Sequence, residues 1–195
     1  MTLVEQRPRQ VESDVLFDHA HLTTGQTVLI HGTAGGVGSI AVQLAREVGA
    51  HVIGTGRADD RDLALSLGAQ SFVDLDADDL RQVGEVDVVL DVIGGDILRR
   101  STDLVRPGGT VVTIATPPTV QPKDGRAVFF VVEPDRARLI DLAQRLRTGR
   151  LTPIVGAVRP LHETASAFAR DRRAPGKTII QVADEQAPRH PNEDS

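Results

Sequence analysis

Short apolar runs rich in Val and Ile alternate with segments of helical periodicity along most of this chain. The pattern predicts a first helix over Val11–His21, with Val15, Leu16 and Ala20 on one face, closing near the turn "TTGQ". Strands follow at Thr27–His31, His51–Thr55, Ser71–Val73, Val86–Asp91, Gly109–Ala115 and Ala127–Val132. Between them lie helices at Gly36–Val48, Ala58–Leu67 and Gly95–Leu104, and a weakly periodic one near Asp76–Gln82. Strands that are apolar throughout, rather than alternating, belong to a parallel sheet covered on both faces. The repeated strand–helix order therefore predicts an α/β class domain, a doubly wound parallel sheet, over residues 16–150. After a helix at Pro134–Thr148 the pattern changes to "PIVGAVRPL", a short helix "HETASAFARD" and "GKTIIQV", a β-α-β segment over residues 151–183. Residues 1–15 form a polar lead, and the polar, Pro-containing tail at 184–195 reads as disordered.

Length and composition narrow the class without changing it. A chain of 195 residues, 40% hydrophobic and 25% charged, can bury the core of one globular domain with an appendage. A formal net charge of -5 with no Lys/Arg-rich block argues against a nucleic-acid partner. The absence of Cys excludes a disulfide framework and thiolate-bound zinc. No signal-like or membrane-spanning stretch is present, so the expected location is cytoplasmic, away from membranes.

The chemistry-bearing stretch is "HGTAGGVG", His31–Gly38, with four glycines in eight residues between a strand and a helix. In the dinucleotide fingerprint G-x-G-x-x-G the first glycine makes a tight turn, the second admits the pyrophosphate and the third lets helix and strand pack closely. Here those positions are Thr33, Gly35 and Gly38, with Gly32 beside Thr33 to supply the turn. The N–H groups of Gly35, Gly36 and Val37 are expected to face a phosphate at the helix N-terminus. The alternative is a Gly-rich turn chosen for packing alone.

The tip of the second strand decides between nucleotides. NAD binders place a carboxylate there for the ribose 2′-hydroxyl, whereas Arg suits a 2′-phosphate. The sequence reads Thr55, Gly56, Arg57, so NADP(H) is expected; Asp59 and Asp60 stay within reach of a ribose hydroxyl, leaving NAD(H) open. Arg61 either reinforces Arg57 or lies on a solvated face with the two aspartates.

Together, "LFDHAHLTTGQTVLIHGTAGGVGSIAVQLAREVGAHVIGTG", "SLGAQSFVD", "VDVVLDVIGGDILRRSTDLVRPGGTVVTI" and "GKTIIQV" resemble the medium-chain dehydrogenases/reductases, and among them the zinc-free quinone oxidoreductases. The resemblance runs from about Leu16 to Val182 and implies a Rossmann fold that binds NAD(P)H and transfers hydride to a quinone, enone or related carbonyl. It further implies that Ile93 and Ile114 lie along the nicotinamide half of the cofactor; each reads equally as a strand-end core residue. Family members begin with a GroES-like catalytic domain, and this sequence carries no match for it. Residues 151–183 resemble the segment that packs on that domain, so Ile154, Val158, Phe168, Ile179 and Val182 are expected to lack partners. Residues 152–182 and the edge strand 127–132 are therefore expected to meet a partner chain or a second copy in a homodimer.

Other chemistry is sparse. Without Tyr, the Tyr–Lys acid pair of short-chain dehydrogenases is impossible. His19, His21, His31, His51, His162 and His190 show no metal-ligand spacing, so no zinc is expected. Asp91 either touches the cofactor or caps a turn. No G-x-S-x-G elbow or Ser/His/Asp set is legible, and no residue is singled out as catalytic. Two readings remain: an oxidoreductase domain of quinone-reductase type, weak or inactive on its own, and an inactive NADP(H)-binding module or truncated remnant. A methyltransferase is a distant third.

Overall fold

Val28, Leu29 and Ile30 are shut off from solvent on both faces of strand β1 (Thr27–His31), which is what an unbroken apolar run requires. The computed structural model describes residues 16, 19–131, 136–167 and 176–182. Around β1 are built α1 (Gly38–Glu47), β2 (His51–Gly56), α2 (Arg61–Leu67), β3 (Ser71–Asp74), β4 (Val86–Asp91), α3 (Gly95–Ser101), β5 (Val105–Thr113), β6 (Arg126–Phe129) and α4 (Arg136–Arg147). The strands form one sheet in the order β3-β2-β1-β4-β5-β6, every adjacent pair parallel. This is the doubly wound Rossmann arrangement the pattern predicts. Leu29, Ile53, Val73, Val89 and Val111 carry the core across five strands, and Leu98 and Leu104 close it from α3 and the turn after it.

Several boundaries differ from the expected ones. The helix expected at Asp76–Gln82 is instead a turn followed by a 3-10 helix at Leu80–Val83. Aspartate side chains take the backbone donors there: Asp74 N–H bonds Asp78, Asp76 N–H bonds Asp74, and Arg81 N–H bonds Asp79. β5 starts at Val105 rather than Gly109, because Val105 already pairs with Val86 across an irregularity that Gly108 (φ 82°) permits. The edge strand β6 ends at Phe129, short of the expected Val132. α1 begins at Gly38, two residues later than expected.

The chain divides into two units, at residues 1–153 and 154–195. The second contains β7 (Val155–Pro160), a helical turn α5 (Thr164–Ala167) and β8 (Lys177–Gln181), with β7 and β8 parallel. The polar lead, most of the Val11–His21 helix, Val132, the start of the Pro134–Thr148 helix, Phe168 and the tail lie outside the described residues. Among the described residues no helix is long and apolar enough to cross a membrane.

Candidate functional site

In an open parallel sheet the binding crevice lies beyond the C-terminal strand ends where the strand order reverses. Here that point is between β1 and β4. The loops after β1, β2, β4 and β5 all emerge on this edge, and together with Thr55 and Gly56 at the tip of β2 they carry the site residues singled out in the sequence.

The Gly-rich loop is packed as the fingerprint demands, with one displacement. Gly32, not residue 33, makes the turn: its φ is 67°, and a Cβ there would lie 2.8 Å from Val92 Cγ2. At Gly38 a Cβ would lie 2.2 Å from the Gly32 carbonyl oxygen, so the first turn of α1 rests directly on the loop. The expected trio of phosphate-facing amides needs a correction, because Gly35 N–H donates to Gly32 O at 2.9 Å and closes the turn. The Gly36 and Val37 amides have no acceptor among the described residues. Gly35 and Gly36 are exposed and Val37 half-buried. Val37 caps α1 with no side-chain oxygen, and no acidic residue occupies the first turn. Two unpaired donors at an uncapped helix N-terminus fit an anion such as a pyrophosphate.

Thr33 and Thr55 lie beneath this surface rather than on it. Both are wholly buried; the Thr33 amide and hydroxyl donate to Thr55 O at 3.1 and 3.2 Å, tying the loop to the tip of β2. Gly56 is buried and Arg57 exposed. Arg61 neither joins Arg57 nor lies free with the aspartates. Its guanidinium donates to Phe72 O at 3.2 Å, stacks 5.1 Å from the Phe72 ring and approaches Asp78, all on the β3 side.

On the other flank, Ile93 is 46% exposed and Ile114 half-buried. Ile93 Cγ1 would lie 3.8 Å from a Cβ on Gly32, so the β4 loop borders the Gly-rich turn. Asp91, left open between cofactor contact and capping, is a cap. Its wholly buried carboxylate accepts Ile93 N–H at 3.2 Å, Gly94 N–H at 3.0 Å and the Thr113 hydroxyl at 2.7 Å.

The sequence reading missed His31 as a structural centre. It is wholly buried at the end of β1, with Nδ1 2.8 Å from Thr55 Oγ1 and Nε2 2.7 Å from Ser101 Oγ. Ser101 gives its only hydroxyl proton to Ile97 O at 2.7 Å, so it accepts from Nε2–H, and Nδ1 accepts from Thr55. The neutral ring thus joins β1, β2 and α3 under the crevice. Burial lowers its pKa from 6.5 to about 4, against the nearby Asp91 charge, which raises it. A histidine closing an apolar strand, in register with Thr55, was the available signal. Among the described residues no group of three or more His, Asp or Glu could hold a metal ion.

The geometry can be set beside known proteins. The zinc-binding dehydrogenase family matches residues 36–135. Quinone oxidoreductase of Sus scrofa is 29% identical over 189 residues, a match that covers 85% of this chain and 57% of that protein. The structure of the quinone oxidoreductase from Coxiella burnetii matches with a TM-score of 0.77 at 27% identity, over 89% of this chain and 57% of that one. A 2-haloacrylate reductase structure matches with a TM-score of 0.75 at 26% identity, over 88% of this chain and 62% of that one. The chain spans little more than half the length of these relatives.

Proposed function

The chain belongs to the zinc-binding dehydrogenase family, and from that premise we propose that it is the NADP(H)-binding domain of a quinone-reductase-type oxidoreductase. In this reading the cofactor supplies a hydride that passes between NADPH and a quinone, enone or related carbonyl. The observation that carries it is the pair of unpaired amides, Gly36 and Val37, at the strand-order reversal of the sheet. They hold the pyrophosphate, while Arg57 faces the 2′-phosphate with a charge-assisted hydrogen bond. Thr33, Thr55 and His31 hold these loops from below. Ile93 and Ile114 offer an apolar wall along the nicotinamide half, and Gly35 leaves the backbone open to close approach. A neighbour named a 2-haloacrylate reductase supports an α,β-unsaturated acceptor within this substrate class.

One wall does not make a cleft. Hydride transfer needs the acceptor held against the nicotinamide with water excluded. The second wall comes from a further domain or another chain. In support, β7 and β8 make a two-stranded sheet with Val155, Val158 and Ile179 between 45% and 59% exposed and Val182 just past it 74% exposed, and such a sheet needs a covering partner. Residues 152–182 are that docking segment. The β6 edge, with Phe129 and Val131 exposed beside it, is the surface for a second copy.

The test follows reduced-nicotinamide absorbance when quinones and enones are added to the chain with NADPH. Acceptor-dependent oxidation well below the roughly 10 s⁻¹ of an ordinary enzyme is expected from the chain alone. Nucleotide binding with no oxidation by any acceptor would hand the result to the alternative, a binding module without turnover.

A further inference from the structure

Near the tip of β2 lies a carboxylate, Asp60, whose effect beside Arg57 the nucleotide reading leaves open. Asp60 Oδ2 accepts the Arg57 backbone N–H at 3.0 Å, and Asp60 N–H in turn donates to Arg57 O at 2.9 Å. The first bond holds the Asp60 side chain against the end of the strand, and the second closes the backbone turn beneath it. Gly56 makes room for it: a Cβ at that position would lie 2.7 Å from Asp60 Oδ2. Asp60 is half-buried, whereas Asp59 beside it is exposed. Among the described residues the Asp60 carboxylate has no basic partner, because Arg61 is turned to Phe72 and Asp78. Its negative charge therefore stands uncompensated beside the exposed Arg57, at the place where nucleotides with and without a 2′-phosphate differ.

We propose that Asp60 is a specificity-determining residue that narrows the preference for NADP(H), opposing the 2′-phosphate that Arg57 attracts and accepting a hydrogen bond from the 2′-hydroxyl of NAD(H). The inference rests on the nucleotide reading above. Arg57 and Asp60 act on the same ribose position with opposite sign, so the chain binds both nucleotides with a modest margin for NADPH. Gly56 belongs to the device, since any side chain there would push the carboxylate off the strand tip.

Calorimetric titration of the full chain with NADPH and with NADH, in the native protein and in Asp60→Asn, tests this directly. Asn keeps an oxygen for the Arg57 N–H, so the turn is retained while the charge is removed. NADPH affinity is expected to rise about tenfold, with NADH affinity changing by less than about threefold. Gly56→Ala, which displaces the carboxylate without altering any charge, is expected to shift the ratio in the same direction. An unchanged NADPH-to-NADH ratio in both variants, with binding intact, overturns the role of Asp60 and leaves the nucleotide reading standing. Failure of either nucleotide to bind any of the proteins overturns both.

Discussion

Gly38→Ala is expected to abolish nucleotide binding and to cost about 3 kcal/mol of folding stability. The added methyl would sit 2.2 Å from the Gly32 carbonyl oxygen, 2.8 Å from its carbon and 3.0 Å from Thr33 Cα. All three are backbone atoms, so no side chain can swing aside; α1 must lift from the loop or the loop must open. Either movement carries off the Gly36 and Val37 amides. It also strains Thr33, whose amide and hydroxyl are fixed to Thr55 O. Denaturant unfolding reads the stability loss and calorimetry the binding loss. A variant that unfolds at the native midpoint and still binds nucleotide would contradict the packing role assigned to this glycine.

Acidification from pH 6.5 to about 4 is expected to remove about 3 kcal/mol of stability through His31 alone. The folded ring holds a pKa near 4, below its unfolded value of 6.5, so the unfolded chain binds the additional proton throughout this window. Stability is therefore complete above the unfolded pKa, falls as pH drops and levels off below about 4. The loss has a structural cause: a protonated Nδ1 no longer accepts from Thr55, and the Thr55 hydroxyl proton is left in a buried site without an acceptor. Carboxylates titrate over part of the same range, so the quantity to measure is the difference between native protein and His31→Gln in unfolding free energy against pH. A difference that shrinks toward acid, as the native protein loses its advantage, is the expected result. A difference independent of pH would show that His31 is not held neutral.

How much of this was legible depended on how local the determining forces are. β1 and β4 match their expected bounds, Thr27–His31 and Val86–Asp91, because the apolar centres Val28–Ile30 and Val88–Leu90 sit in strands buried on both faces. The Gly32–Gly38 loop was legible because Gly32, with its positive φ, and Gly38, against the Gly32 carbonyl, answer backbone demands. What failed was decided by side chains reaching across the fold. Arg61 follows Arg57 closely in sequence yet turns to Phe72, whose carbonyl and ring lie on a neighbouring strand. Asp74, Asp78 and Asp79 replaced a periodic helix with a side-chain-capped turn. His31 read as one scattered histidine among six, since its partners Thr55 and Ser101 are 24 and 70 residues away. Asp91 could be judged only once Gly94 and Thr113 were seen to converge on it.

The central claim is that the β1–β4 crevice is an NADP(H) site in which Arg57 meets the 2′-phosphate. Calorimetric titration of the chain with NADPH and NADH, native and Arg57→Ala, tests it most directly. The account predicts micromolar NADPH binding in the native protein, weakened at least tenfold by the substitution while NADH binding is nearly unchanged. Equal weakening of both nucleotides, or no binding of either by the native protein, would contradict it.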